Sequence, residues 1–410
     1  MKHFFVYLFL LTGLCLPLPA SAQIVATASP SDSLAKPDTA WHISLLTCSP
    51  GQEVYELYGH TALRVRHAQR GLDVVFNYGA FDFRAPHFVW RFVLGECDYM
   101  LFPEPLLSFL NVYYARGSEV IEQELNLRGF EADSLAASLF RESQPDMRVY
   151  RYNIFRSNCT TRARDKIESC IDGFVVYPVR ARRNTFRSIL HEFTRGHEWA
   201  REGNDLLLGA DVDTLITERD EMFAPIYLMN YVDSAMIDAG RYRLRPLVRE
   251  RRVLLKGDAA RRQASEARQP SFPVPPAVCW WGLLLAGLAL GLFEWRRQRV
   301  VWAVDAVLMT LQGVAGLLLT FMSLCSQHPG VAPNWQVWIL NPLPLFFVWS
   351  VVRAARKQQF AVYHVFAAIV LLLFLALYVF IPQHFSQLLL PLALLLLSRA
   401  SVHFLVYHKK

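Results

Sequence analysis

The chain has 410 residues, 53% of them hydrophobic, and a formal net charge of +7. Charged residues are dense up to about Arg268 and sparse beyond it, and much of the positive excess lies between Arg241 and Arg268 or at the ends of apolar runs. Membrane topology accounts for charge placed there, and no nucleic-acid module is present, so no nucleic-acid partner is expected.

The N-terminus reads as a secretory signal over residues 1–22. Lys2 and His3 are basic, Phe4 to Leu18 are apolar, and Ala20-Ser21-Ala22 supplies the small residues of a cleavage site before Gln23. Cys15 lies inside the apolar run with no small residue directly beside it, so a lipidated start there is not expected. Of the seven cysteines, Cys48, Cys97, Cys159 and Cys170 fall in the exported part. An oxidising compartment permits disulfides there, but spacing does not assign them.

A polar stretch to about Thr39 leads into alternation at Trp41–Leu46, a strand pattern. His60–Val65 and Val74–Tyr78 repeat it around a Gln69-Arg70-Gly71 turn, predicting a hairpin. Another strand is expected around Glu119–Leu127, an amphipathic helix over Phe130–Arg141 and a short strand over Tyr150–Ile154. A helix capped by Ser157-Asn158 then runs from Cys159 to Cys170. Residues 40–240 thus read as one α+β domain, large enough for a sizeable core. Residues 241–276, basic and then proline-rich, read as a membrane-proximal linker whose arginines either face solvent or meet anionic headgroups.

Residues 277–408 read as an all-α bundle of about five transmembrane helices, near 277–292, 300–324, 336–352, 361–381 and 387–407. Basic residues follow the first, third and fifth runs, whereas Ser326–Trp335 and Pro382–Ser386 carry no Lys or Arg. Positive charge stays cytoplasmic, which puts the N-terminal domain in the periplasm and the C-terminus inside. An exported signal and an odd number of spans require the same arrangement. The expected location is the bacterial inner membrane.

Asn158-Cys159-Thr160-Thr161-Arg162 carries the clearest chemical signal. A cysteine in the first turn of a helix meets exposed N–H groups and the positive end of the helix dipole, which favour a thiolate nucleophile. Thr160 and Arg162 are the candidates for oxyanion or electrostatic support. The bland alternative is a disulfide-bonded cysteine, Cys170 being one partner. His60, opening a strand after Gly59, is the candidate base, and Asn77 on the paired strand is the candidate orienter. His67, His87, His191 and His197 compete less well because none begins a comparable strand. No HExxH or CxxC occurs, and His191 and His197 are off one helical face, so no metal or cofactor is expected.

Gly59-His60-Thr61-Ala62-Leu63-Arg64-Val65, Phe76-Asn77-Tyr78-Gly79-Ala80-Phe81-Asp82-Phe83 and Asn158-Cys159-Thr160-Thr161-Arg162 resemble the periplasmic domain of the lipoprotein N-acyltransferase Lnb family. Leu125-Asn126-Leu127 and Leu208-Gly209-Ala210-Asp211 do as well, and the C-terminal part is similar at His328-Pro329, Asn334-Trp335 and Asn341-Pro342. The resemblance implies a permuted papain-like fold of the NlpC/P60 or lecithin–retinol acyltransferase kind. It also implies transfer of a fatty acyl group to the N-terminal cysteine amine of a lipoprotein, with Cys159 as nucleophile and His60 as base; a membrane phospholipid is the expected donor, and movement of the acyl group within the lipoprotein itself stays open. Phe155-Arg156-Ser157-Asn158 departs from the pattern, where an acidic residue is expected before the cysteine. Two other readings stay open: an envelope thiol hydrolase and a non-catalytic membrane scaffold. Donor position and oligomeric state are not readable.

Overall fold

The computed structural model describes residues 40–81, 86–179, 183–240, 244–268 and 272–407. The expected signal peptide, together with Asp82 and Phe83, lies outside them. The described residues form two compact units, one drawn from Met1–Phe92, Cys97–Val179 and Met222–Gln269, the other from Val93–Glu96, Arg180–Glu221 and Pro270–Lys410.

The strands of the first unit are β1 (His42–Cys48), β2 (His60–His67), β3 (Leu72–Ala80), β4 (Asp98–Pro105), β5 (Val120–Leu125), β6 (Val149–Arg151), β7 (Phe174–Val176), β8 (Met236–Asp238), β9 (Leu244–Pro246) and β10 (Val248–Leu255). Seven of them make an antiparallel sheet in the order β10-β5-β1-β2-β3-β4-β6, and β7-β8-β9 form a small second sheet. Period-2 alternation divides the large sheet's residues between two apolar clusters. Ile43, Leu45, Leu63, Val65, Phe76 and Tyr78 pack with residues of the helices Gly129–Glu142 and Cys159–Cys170. Leu46, Cys48, Ala62 and Val75 pack instead with Phe109 and Tyr113 of the helix Leu106–Arg116.

The stretch 241–276, read from sequence as a linker, is corrected here. Residues 244–246 and 248–255 are strands, Ala259–Glu266 is a helix, and β10 closes one edge of the large sheet against β5. The reason is electrostatic. Glu122 and Glu124 of β5 are buried, and the arginines of β10 meet them: Arg252 Nε donates to Glu122 Oε2 at 2.6 Å and Arg249 Nη1 to Glu124 Oε1 at 3.4 Å. Arg64 of β2 completes the set, 3.0 Å from Glu122 Oε1. A buried carboxylate needs such partners, and they make a strand of a segment whose composition reads as polar coil.

Among the described residues, the second unit contains four helical segments long and apolar enough to cross a membrane: Pro276–Arg297, Trp302–Cys325, Trp335–Arg356 and Leu389–Tyr407. The helix Tyr363–Leu377 has 15 residues, about 22 Å at 1.5 Å per residue, short of a roughly 30 Å hydrocarbon core. The third segment is not one helix. A 3₁₀ turn at Trp335–Trp338 is followed by a break at Asn341-Pro342 before the α-helix Leu343–Arg356. Backbone groups freed at membrane depth need partners inside the protein. Gln312 Nε2 donates to Ile339 O at 2.7 Å, and a Cβ at Gly316 would lie 2.2 Å from Asn341 C, so glycine alone admits that approach.

Three membrane segments share a buried charge cluster. Arg399 Nη1 donates to Glu294 Oε2 at 2.5 Å and its Nε to Asp305 Oδ1 at 2.7 Å, with His403 Nε2 2.8 Å from Asp305 Oδ2. The segment Arg180–Glu221 belongs to this unit as well. Gln336 Nε2 donates to Asp205 O at 2.8 Å and Asn334 Nδ2 to Leu206 O at 3.1 Å. Arg187, 2% exposed, holds Asp205 at 2.8 Å and Asp213 at 2.7 Å.

Candidate active site

Asn158 builds the start of the cysteine helix. In an extended conformation, with its Oδ1 accepting from Thr160 N and Thr161 N at 2.9 Å each, it is the N-cap that Ser157-Asn158 foretold. Its Nδ2 donates to Ile154 O at 2.7 Å and to Phe223 O at 2.9 Å, tying the cap to a distant loop. Cys159 follows as the first helical residue, in the field of the helix N-terminus. Asn158→Ala is expected to lower stability by about 1–2 kcal/mol through the lost cap, read as a lower denaturation midpoint; an unchanged midpoint would mean that the cap is redundant.

His60 opens β2 after a turn that only glycine accommodates. Gly59 has φ +75°, and a Cβ there would lie 2.7 Å from Cys48 O. The His60 Nε2 and Asn77 Oδ1 are 2.6 Å apart, and Asn77 Nδ2 donates to Glu104 Oε1 at 3.4 Å. Glu104 accepts only from the amide nitrogen, so the amide oxygen faces histidine and accepts its Nε2–H. That tautomer leaves Nδ1 unprotonated toward Cys159. The register of β3 and β4 shifts between Tyr78 and Ala80, next to this group, as bulges beside functional sites do.

The electrostatics fit a thiolate–imidazolium pair. Burial would raise the Cys159 thiol. The His60 charge and hydrogen bond, the Thr61 N–H and the Thr160 hydroxyl outweigh burial and bring it down from 9.0 to about 7. Burial would lower His60, but Cys159 opposite it, with hydrogen bonds to Cys159 and Asn77, raises it. Burial raises the Glu104 carboxyl.

The structure brings Cys159, His60 and Asn77 together. Thr160 lies close through its hydroxyl, 3.7 Å from Cys159 Sγ and 3.1 Å from the Thr61 hydroxyl, while its N–H is committed to the cap. Arg162 is tied to Glu142 at 3.0 Å, so its charge is already paired. A Cys159–Cys170 disulfide does not fit. The two residues begin and end one helix, about 16 Å apart along its axis against the less than 7 Å between Cα atoms that a bridge requires. Glu104 is the member that the sequence did not single out, because a glutamate between prolines in an apolar run carries no motif. Among the competing histidines, His67 packs edge-on against Trp41 and His191 is bound to Asp205.

His191, Asp205 and His384 each place a ligand atom within 4.8 Å of the others. Their hydrogen bonds argue for an arginine-balanced network. Arg201 Nη2 donates to His191 Nδ1 at 3.1 Å, so Nε2 carries the proton and donates to Asp205 Oδ1 at 2.7 Å, while Arg187 supplies the countercharge.

Two family models match the chain in order. Residues 36–191 match the Lnb N-terminal periplasmic domain. Residues 267–410 match the Lnb transmembrane domain. No curated protein and no solved structure matches it.

Proposed function

The chain belongs to the Lnb family, and from that premise we propose that it is an inner-membrane, cysteine-dependent N-acyltransferase acting on bacterial lipoproteins. It is a multi-pass membrane protein with an N-terminal periplasmic domain. We read its sheet-rich unit as a permuted papain-like fold, on the order of histidine strand, asparagine strand and cysteine helix. We read the membrane part as five spans with a cytoplasmic C-terminus, counting the short Tyr363–Leu377 helix.

The observation that carries the mechanism is the Cys159–His60–Asn77 arrangement, with Nε2 held at 2.6 Å by Asn77 and the thiol lowered to about 7. In the first half-reaction the Cys159 thiolate attacks an ester carbonyl of a phospholipid. The C–S bond forms, the ester C–O bond breaks, and the departing alkoxide takes a proton from His60. In the second, the lipoprotein α-amine attacks the thioester while His60 accepts its proton, and Cys159 leaves as thiolate. Anchoring the enzyme in the bilayer that holds both substrates raises their effective concentration. A thiol hydrolase would gain less from a multispan anchor.

The test is mass spectrometry of wild-type protein in phospholipid vesicles, with and without a diacylated lipopeptide. The expected result is a hydroxylamine-labile fatty-acyl increment on the protein, discharged to the lipopeptide amine. Release of free fatty acid with no amide product would favour the hydrolase reading, and absence of any adduct the scaffold.

A further inference from the structure

An acyl transfer through Cys159 needs donors for the oxyanion of its tetrahedral intermediate, and the helix start supplies few. Of its first four N–H groups, those of Thr160 and Thr161 are held by Asn158 Oδ1 and that of Arg162 by Asn158 O. The N–H of Cys159 itself is left.

Tyr150 lies nearby with a donor to spare. It is 7% exposed, and its hydroxyl has no hydrogen-bond partner among the described residues. Leaving a buried hydroxyl without a partner is unfavourable, and a folded protein tolerates it where the group has another task. The ring is fixed on several sides. Tyr78 stands edge-on at 6.1 Å, Tyr99 is tilted at 6.4 Å, and the Arg162 guanidinium lies 4.0 Å from the ring centre. Arg162 is one helical turn beyond Cys159, and Tyr150 and Cys159 pack into the same cluster. Cys159 is also the strongest charged neighbour of the phenol, ahead of Arg162. Burial raises the phenol, which keeps it protonated and able to donate.

We propose that Tyr150 is a further catalytic residue, its O–H donating to the oxyanion that forms when the Cys159 thiolate adds to an acyl carbonyl. As the C–S bond forms, the carbonyl π pair moves onto oxygen, which accepts hydrogen bonds from the Tyr150 O–H and the Cys159 N–H. No proton moves to it. When the pair returns, the leaving alkoxide departs and is protonated by His60, and Tyr150 again has no partner. The proposal rests on Cys159 being acylated, not on which lipid supplies the acyl group.

The test uses the full chain in detergent micelles with p-nitrophenyl octanoate, whose acylation of Cys159 appears as a burst of p-nitrophenolate absent from Cys159→Ala. Tyr150→Phe is expected to slow the burst by about 10²–10³-fold, the cost of one oxyanion donor. It should leave the rate of Cys159 alkylation by iodoacetamide and the thermal midpoint unchanged. An unchanged burst overturns the proposal. So does an equal slowing of burst and alkylation, which would put the effect on the thiolate, and so does loss of folded protein, which would mean that the hydroxyl has a resting partner. A wild type without a burst overturns it together with the acyl-enzyme. A wild type that gives the burst but transfers nothing to a lipopeptide leaves Tyr150 in place and removes the N-acyltransferase reading alone.

Discussion

Cys159→Ala is expected to abolish acyl transfer, and His60→Ala to lower it by about 10³-fold or more at pH 7, measured as the rate of lipopeptide N-acylation in vesicles. The His60 figure combines two losses. The charge and hydrogen bond of His60 are the largest influences that lower the Cys159 thiol. Without them burial prevails, and the thiol moves above its ordinary 9.0 from about 7. At pH 7 the thiolate then falls from about half of the molecules to below about 1%. Loss of the proton acceptor for the attacking amine adds a factor of about 10²–10⁴. The sign of the pH dependence follows. In wild type, iodoacetamide alkylation of Cys159 rises through a midpoint near pH 7, whereas in His60→Ala it is slow at pH 7 and rises only above pH 9. A His60→Ala profile that overlays the wild type would remove His60 from the site.

Arg399→Leu is expected to destabilise the membrane unit by about 3–5 kcal/mol, because removing one member of a buried ion cluster leaves the others uncompensated. Glu294 and Asp305 are 0% and 3% exposed, and each takes two donors from the guanidinium. The readout is the thermal midpoint of the purified protein in detergent, or its loss from the monodisperse fraction. Removing all three charges at once, as Glu294→Gln, Asp305→Asn and Arg399→Leu together, should recover much of the loss, since no charge is then left unpaired. If the single variant is as stable as wild type, the carboxylates have other partners.

Legibility from sequence followed the range of the interactions. Strands set by local alternation, such as His60–His67 and Leu72–Ala80, lie where the pattern put them, and the helix Cys159–Cys170 starts at its expected cap. Cys159, His60 and Asn77 could be named because each sits at a marked place in its element. Elements stabilised by distant partners escaped. The arginines of Val248–Leu255 make a strand only because Glu122 and Glu124 lie across from them, more than a hundred residues earlier in the chain. Glu104 matters only after β4 is laid beside β3. Asp305 stands in the first turn of the helix Trp302–Cys325. Its partner, Arg399, is 94 residues away. The third span was foreseen as one run, yet its break follows from Asn341-Pro342, a pair visible in the sequence, since proline cannot donate within a helix.

The amides that hold residues 205–208 have a consequence for how this protein can be divided. Asn334, Gln336 and Gln383 lie in the membrane part of the sequence, yet they satisfy backbone carbonyls of Asp205, Leu206 and Leu208. A secreted fragment cut just before the first span would retain the covalent length of the periplasmic region but would leave the carbonyls of Asp205, Leu206 and Leu208 without these amide donors. Residues 183–221 of such a fragment should be sensitive to protease and aggregation-prone, although the sheet stays folded. Expression tags and cleavage sites are therefore better placed at the ends of the chain than between the sheet and the helices, because residues 183–221 precede the last strands in the chain yet belong to the unit of the helices.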